Sequence, residues 1–331
     1  MKKFSLLSIF LFATTFAQVG IKTSTPTETL DVNGIERIRE LPRHNTANSI
    51  FTKPDGTRSE NKDQTFIATK MVVADANGVL GYADWNSNPT PVNPKRRITI
   101  GYWAGLWDGN LYALGATGFP TFNSQLKSMV NYGPAGIYNK IGGVDFQQYQ
   151  TEELENLTGA QLKMVVDVFC IGLQAGVDLD PLLVAKIKDF ADLGGVVMVL
   201  LDSGRNTPAF QIFGGNGNVG TGGLASYSVA GTVGSSGVFG TVAGGTVING
   251  AQTTGRVLNS QLAPGSEILA REGGANASQA GIWTTGPNGR VIFFWDEGVF
   301  RNTSISTTII NTDQEKYLHN IMAYAFDKLS L

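Results

Sequence analysis

Cysteine is almost missing: the 331 residues hold one, Cys170. No intramolecular disulfide can form, so stability must come from packing. Histidine is nearly as scarce, with only His44 and His319. Charge of neither sign is in excess, at 25 Lys+Arg against 27 Asp+Glu, and the weakly acidic balance offers no basic face to a nucleic acid. No G-x-G-x-x-G opens a helix and no phosphate-loop lysine follows a glycine-rich turn. Nucleotide binding is therefore not expected, and no cofactor is implied.

Glycine, by contrast, is abundant, with 41 residues, which fits β-rich loops and an exported style of surface. The chain starts with the pattern of a secretory signal. Lys2 and Lys3 are followed by the apolar run Leu6 to Phe12, too short to span a bilayer, and then by Thr15-Phe16-Ala17, an acceptable cleavage site. Cleavage there makes Gln18 the mature N-terminus and sends the protein to the periplasm or cell surface. A retained membrane anchor is the alternative, disfavoured because polar residues follow at once. No cysteine follows the signal, so no lipid anchor is expected.

Four segments follow from the pattern: a signal at 1–17, a β-rich module at 18–85, a linker at 86–95 and an α/β domain at 96–331. The linker, NSNPTPVNPK, carries three prolines among small polar residues, which suits neither a helix nor a central strand. In the module, Asp75-Ala76-Asn77-Gly78 stands between Val72-Val73 and Val79-Leu80, a hairpin signal. Arg43 to Gln64 is polar and poor in apolar residues, which leaves open a poorly ordered arm.

In the α/β domain the organising stretch is Asp167 to Arg205. Val165–Ile171 and Val196–Leu201 read as buried parallel strands around a helix. Asp180 caps that helix and Pro181 occupies its first position. Leu183, Ile187 and Phe190 share one face, and Gly194-Gly195 ends it. Further strands are expected at Arg97–Trp103, Val144–Tyr149, Glu267–Arg271, Gly281–Thr285 and Arg290–Trp295. Helices are expected at Asn123–Val130 and from Thr151. A final helix is capped by Thr312 with Glu315 three residues on. The glycine-rich 214–255 reads as short strands in an irregular excursion with no evident place in the fold.

Two resemblances follow. VGIKTSTPTETLDVNGIERIR, with Val19, Gly20, Ile21, Pro26, Leu30 to Gly34, Arg37, Ile38 and Arg39, resembles the leader of secreted bacterial surface and tail-fibre-like proteins. Lys22 departs from it where glycine is usual. That resemblance implies a module that attaches or self-associates into homo-oligomers. The region from Arg96 onward resembles the class I glutamine amidotransferase-like superfamily, trehalose-utilisation-type domains included. The resemblance rests on ITIGYW, on DVFCIG with IKDFADLGGVVMVLLDSG, on FGT with LAPGSEILAREGG, and on GPNGRVIFFWDEGVF. It implies a flavodoxin-like, three-layer α/β fold with an open parallel sheet.

Catalytic members of that superfamily carry a cysteine on the turn after a central strand and a His-x-Glu after a later one. Here the turn reads Asp202-Ser203-Gly204, Trp295 stands in the histidine position and Glu297 in that of the glutamate. Tryptophan cannot accept a proton at neutral pH, so the triad is broken and the expected protein is a pseudoenzyme that binds an envelope or surface protein or a glycan. If it is an enzyme, the candidates are Asp202, Ser203, Asp296, Glu297 and Cys170. In that case it would act as a carboxylate-based hydrolase on glycan or peptide material. The three carboxylates could hold a hard cation, but loop capping or pairing with Arg205 and Arg301 is the favoured reading, and no metal site is assigned. Trp107, Asp108 and Arg205 are the candidate ligand-binding residues, aromatic faces suiting a sugar ring. For Cys170 and the tryptophans, core burial is the competing explanation.

Overall fold

Two units make up the chain, residues 1–91 and 92–331. The computed structural model describes residues 19–21, 30–32, 42–43, 46–68, 70–74, 80–84, 95–223, 226–250, 253–272 and 278–329. The expected signal and all of the expected linker except Lys95 lie outside the described residues.

In the first unit, Val19–Ile21 (β1) pairs in parallel with Leu30–Val32 (β2). Thr46–Asn48 (β3) pairs antiparallel with Gln64–Phe66 (β4), and Lys70–Ala74 (β5) with Leu80–Asp84 (β6). The last pair supplies the two arms of the hairpin expected around Asn77-Gly78, whose turn lies outside the described residues. The β3/β4 pair corrects the alternative of an unordered polar arm. Pro54-Asp55-Gly56 is a turn signal: Asp55 Oδ1 accepts the Thr57 N–H at 2.9 Å and its hydroxyl at 2.6 Å, and Gly56 takes φ +84°.

The second unit runs Ile98–Trp103 (β7), Leu106–Trp107 (β8), Asn110–Leu111 (β9), Pro120–Lys127 (α1), Val144–Gln148 (β10), Thr151–Glu155 (α2), Gly159–Val165 (α3), Val168–Ile171 (β11), Pro181–Asp192 (α4), Val196–Leu200 (β12) and Thr207–Ile212 (α5). It continues with Gly220–Gly223 (β13), Ser226–Val229 (β14), Val247–Asn249 (β15), Thr253–Leu258 (β16), Glu267–Glu272 (β17), Gln279–Thr285 (β18), Val291–Phe294 (β19) and Asp313–Asp327 (α6).

Five strands lie side by side and parallel in the order β10-β7-β11-β12-β19. Numbered by their own succession along the chain, that order is 2-1-3-4-5. Beyond β19 the sheet changes character. β18, β17, β14 and β15 follow antiparallel, β16 pairs with β18 and β13 with β16. The result is one mixed sheet of 11 strands, in which the expected open parallel sheet is extended by an antiparallel half. The change of direction has a local cause: the turn at Gly286–Gly289 is too short for a crossover, so β18 and β19 must run antiparallel.

Alternate residues of the parallel strands feed two separate cores. Ile98, Ile100, Val168, Cys170, Val196, Met198, Ile292 and Phe294 meet Phe122 and Leu126 of α1 and Leu318, Ile321, Met322 and Phe326 of α6. Phe169, Ile171, Val197, Val199, Val291 and Phe293 meet Leu162 of α3, Leu183, Val184, Ile187 and Phe190 of α4 and Phe210 of α5. Burial on both sides explains why these strands read as unbroken apolar runs. Each fully buried aliphatic or aromatic side chain of the α4 stripe contributes about 1.5–3 kcal/mol.

The helix ends follow the expected chemistry. Asp180 Oδ1 accepts the Leu182 N–H at 2.7 Å, and Gly194 closes α4 at φ +96°. Thr312 and Glu315 satisfy each other's backbone at the start of α6. Two helices differ from the reading. α1 begins at Pro120 and stops at Lys127, because Pro120 fits a first turn and Ser128 is already extended; Met129 and Val130 are exposed beyond it. α3 takes Val165, which the apolar run had assigned to a strand. Thr158 and Gln161 form the capping box that starts it.

Candidate functional site

The carboxyl ends of β12 and β19 lie beside each other, since the two strands pair up to Leu200↔Phe294. Ligands in open α/β sheets sit beyond such ends. After β12 the chain turns through Asp202, Ser203, Gly204 and Arg205 into α5. Ser203 takes φ 45° and Asn206 φ 61°, left-handed positions that cost a non-glycine residue about 1–2 kcal/mol each. The turn is held in that shape. Asn206 Nδ2 donates to the carbonyls of Leu200 at 2.7 Å and Gly172 at 2.9 Å, and Asp178 accepts the Asn206 N–H at 2.9 Å. Ser203 Oγ donates to Asp202 Oδ1 at 3.2 Å.

After β19, Asp296 stays extended and caps the short 3-10 turn Glu297–Phe300, its Oδ1 accepting the Gly298 N–H at 2.6 Å. Glu297 pairs with Arg301, whose guanidinium lies 4.2 Å from the centre of the Tyr112 ring. Asp202, Asp296 and Glu297 are all buried. Burial, then Asp296, then Asp202 push the Glu297 carboxyl well above its ordinary value of 4.5, against the opposing pull of Arg301. Burial and the neighbouring carboxylates thus favour the protonated form of Glu297.

The structure thus brings together three of the sequence candidates from two strand ends. It does not make them a metal centre: among the described residues no three His, Cys, Asp or Glu side chains are grouped to hold a metal ion.

Trp295 is fully buried. Its indole lies against the Tyr227 ring, centroids 3.9 Å apart. Cys170 is corrected as a nucleophile candidate. It does not face the open edge but points into the core shared with α1 and α6. Its sulfur accepts the Leu114 N–H at 3.4 Å, and burial pushes the thiol up to about 12, far from a reactive thiolate. His319 is equally remote, buried among Phe122, Tyr132 and Phe239.

The ligand-binding candidates divide. Trp103 and Tyr102 are buried, the Trp103 indole donating to Thr151 Oγ1 at 3.1 Å. Trp107 is half-buried on the hairpin β8/β9. Exposed Asp108, at φ 48°, and Gly109, at φ 76°, make the two-residue turn of that hairpin. Arg205 faces Asp178 at 3.8 Å and does not join the carboxylates.

Sequence reasoning missed the covering of this edge. The glycine-rich segment lies over it. A Cβ on Gly250 would stand 2.0 Å from Asp296 Oδ2, and one on Gly255 2.6 Å from Leu201 Cβ. The Gly255 N–H donates to the Trp295 carbonyl at 2.8 Å. Arg256, on the same strand, pairs with buried Glu272 at 2.7 Å, and both lie near the Tyr227 hydroxyl, as does Asp296. Glycines where a backbone must come close were the one available signal.

No protein-family model matches the chain, and among curated proteins none is similar to it.

Proposed function

We propose that the protein is an exported, non-catalytic surface or envelope protein. In this reading the second unit is a flavodoxin-like, three-layer α/β domain of the glutamine amidotransferase-like type, and it binds a glycan or a partner protein beside its carboxyl strand edge. The first unit attaches the protein or joins copies of it. The 2-1-3-4-5 strand order supports the fold assignment, as do helices packed against both cores.

The observation that carries the loss of catalysis is Trp295. A buried indole packed against Tyr227 fills the place from which a base would activate a nucleophile, and indole nitrogen does not accept a proton. Ser203 keeps the bent backbone of a nucleophile turn but its hydroxyl donates to a carboxylate. Trp107 is the aromatic face left in part to solvent, and Asp108 and Arg205 flank the binding surface.

The test is calorimetric titration of the full chain with a set of envelope oligosaccharides, with product analysis by mass spectrometry. Binding without turnover, lost in Trp107→Ala, is the expected outcome. Hydrolysis products that vanish in Glu297→Gln would overturn it in favour of a carboxylate-based hydrolase. That second reading draws its support from the closeness of Asp202 and Asp296 to Glu297, whose carboxyl they push upward.

A further inference from the structure

Arg205 follows the carboxyl end of β12, and its guanidinium is loosely engaged. The other half-buried arginines of the second unit are held closely: Arg256 by Glu272 at 2.7 Å, Arg301 by Glu297, and Arg290 through its Nε on the Lys328 carbonyl at 3.2 Å. The Arg205 side chain makes no hydrogen bond among the described residues; its nearest acid, Asp178, is 3.8 Å away. Asp178 Oδ1 is already taken by the Asn206 N–H at 2.9 Å. With 30% of its side chain exposed, the guanidinium has lost much of its water without gaining a close acceptor, and a loose ion pair offsets little of that loss. The same turn adds donors. The Arg205 N–H closes it on the Asp202 carbonyl at 2.6 Å, with Ser203 at φ 45° and Gly204 at φ 76°. The N–H groups of Ser203 and Gly204 have no acceptor among the described residues, and successive N–H groups in a turn suit an anion.

An aromatic face stands two strands away. Trp103, Ile171 and Val199 form one row across β7, β11 and β12, so the strand ends that lead to Trp107 and to Arg205 are about 10 Å apart. The loop after β11 fills the interval. The Ala175 N–H donates to the Leu106 carbonyl at 3.3 Å, Gln174 and Val177 form a β-bridge, and Asp178 holds the Arg205 turn through Asn206. This is the switch point of the 2-1-3-4-5 order, where the chain leaves β7 toward one side and β11 toward the other.

We propose that this surface takes an acidic oligosaccharide, whose acid group, a carboxylate or a sulfate ester, docks on Arg205 and the Ser203 and Gly204 amides while a sugar ring lies on Trp107. The proposal rests on the reading that this edge meets a glycan, and it names the kind. A guanidinium presents parallel N–H groups to two oxygens of one acid group. The half-buried indole offers the flat apolar face that a sugar ring covers. Asp178 beside Arg205 opposes the incoming charge, which gives the proposal a sign to test.

The experiment is calorimetric titration of the full chain with an oligogalacturonate, with the same oligosaccharide after reduction of its carboxyls to alcohols, and with a sulfated form of that neutral product. An acidic probe should bind about ten- to a hundredfold tighter than the neutral one, and Arg205→Gln should bring them level. Which acidic probe binds tighter tells carboxylate from sulfate ester. Asp178→Asn keeps an acceptor for the Asn206 N–H and removes the opposing charge, so it should tighten the acidic probes by up to about fivefold; loosened binding would count against the proposal. Equal affinity for acidic and neutral probes, or an acidic preference that survives in Arg205→Gln, would overturn it and leave the glycan reading intact. An acidic peptide that binds where the acidic saccharides do not would overturn it too, in favour of a protein partner. The acid subsite is also read without an oligosaccharide, by amide NMR: glucuronate should shift the Ser203 and Gly204 signals in the unaltered protein and not in Arg205→Gln. That shift in a protein that binds no oligosaccharide would sink the proposed function and leave the acid subsite standing, whereas its absence would sink the subsite.

Discussion

His319 should make the second unit sensitive to acid. Its ring is fully buried and stacked on Phe122, centroids 4.6 Å apart. Gln125 Nε2 donates to the Thr307 carbonyl and to Glu315, so Gln125 Oε1 is the atom facing His319 Nε2 at 2.7 Å. Nε2 must then carry the proton, and Nδ1 accepts from the Tyr132 hydroxyl at 2.7 Å. Burial disfavours the imidazolium and brings the titration point down from 6.5 to about 3. As the pH falls through 6.5 the unfolded chain binds a proton that the folded chain refuses until about pH 3. The stability from this group is therefore full above pH 6.5 and lost as the pH falls toward 3. At about 1.4 kcal/mol per pH unit the whole window is worth about 5 kcal/mol, and the part between 6.5 and 5 about 2 kcal/mol. Urea midpoints read by tryptophan fluorescence at pH 7.5 and 5.0, for the unaltered protein and for His319→Gln, measure the difference. Glu297 works in the opposite direction, since its raised titration point stabilises the fold below its ordinary value and is lost as the pH rises. That contribution cancels between the two proteins. The unaltered protein should lose about 2 kcal/mol more than the variant; parallel pH profiles would refute the argument.

Other outcomes follow from the same packing. Cys170 should resist a thiol reagent in the folded protein at pH 8 and react at once in urea, because burial keeps its thiol protonated; fast labelling of the folded chain would contradict its placement. Trp295→Ala should cost about 3–5 kcal/mol in urea unfolding, since it removes the buried ring packed against Tyr227; a loss below about 1 kcal/mol would mean the indole is not packed as described. Thr312→Ala should cost about 1 kcal/mol, because the Thr312 hydroxyl accepts the Glu315 N–H at 3.2 Å; an unchanged urea midpoint would contradict the cap.

Much of the second unit was legible in its residues. Asp180-Pro181 and Thr312 with Glu315 mark helix starts by side-chain chemistry that acts within three or four residues, and both helices begin there. The stripe Leu318, Ile321, Met322, Phe326 is buried as its spacing requires. Val165 and the end of α1 were misread for a related reason. An apolar run can close a helix as well as open a strand, and the Thr158–Gln161 box outweighed it here. The segment 214–255 was illegible because glycine carries almost no periodic signal.

The candidate site divides along the same line. That Asp202 and Asp296-Glu297 follow apolar strands is written in the sequence, and so is the tryptophan in place of a histidine. By local chemistry alone the chain determined its buried strands, its caps, its single thiol and the absence of a histidine near either strand end. Only the tertiary structure decided that the two strand ends are neighbours, that Cys170 faces inward, and that Gly250 rests on Asp296 and Gly255 on Leu201. The physical reason is that these outcomes depend on contacts between residues far apart along the chain. Their cost and gain, desolvation and like-charge repulsion, exist only once packing has excluded water.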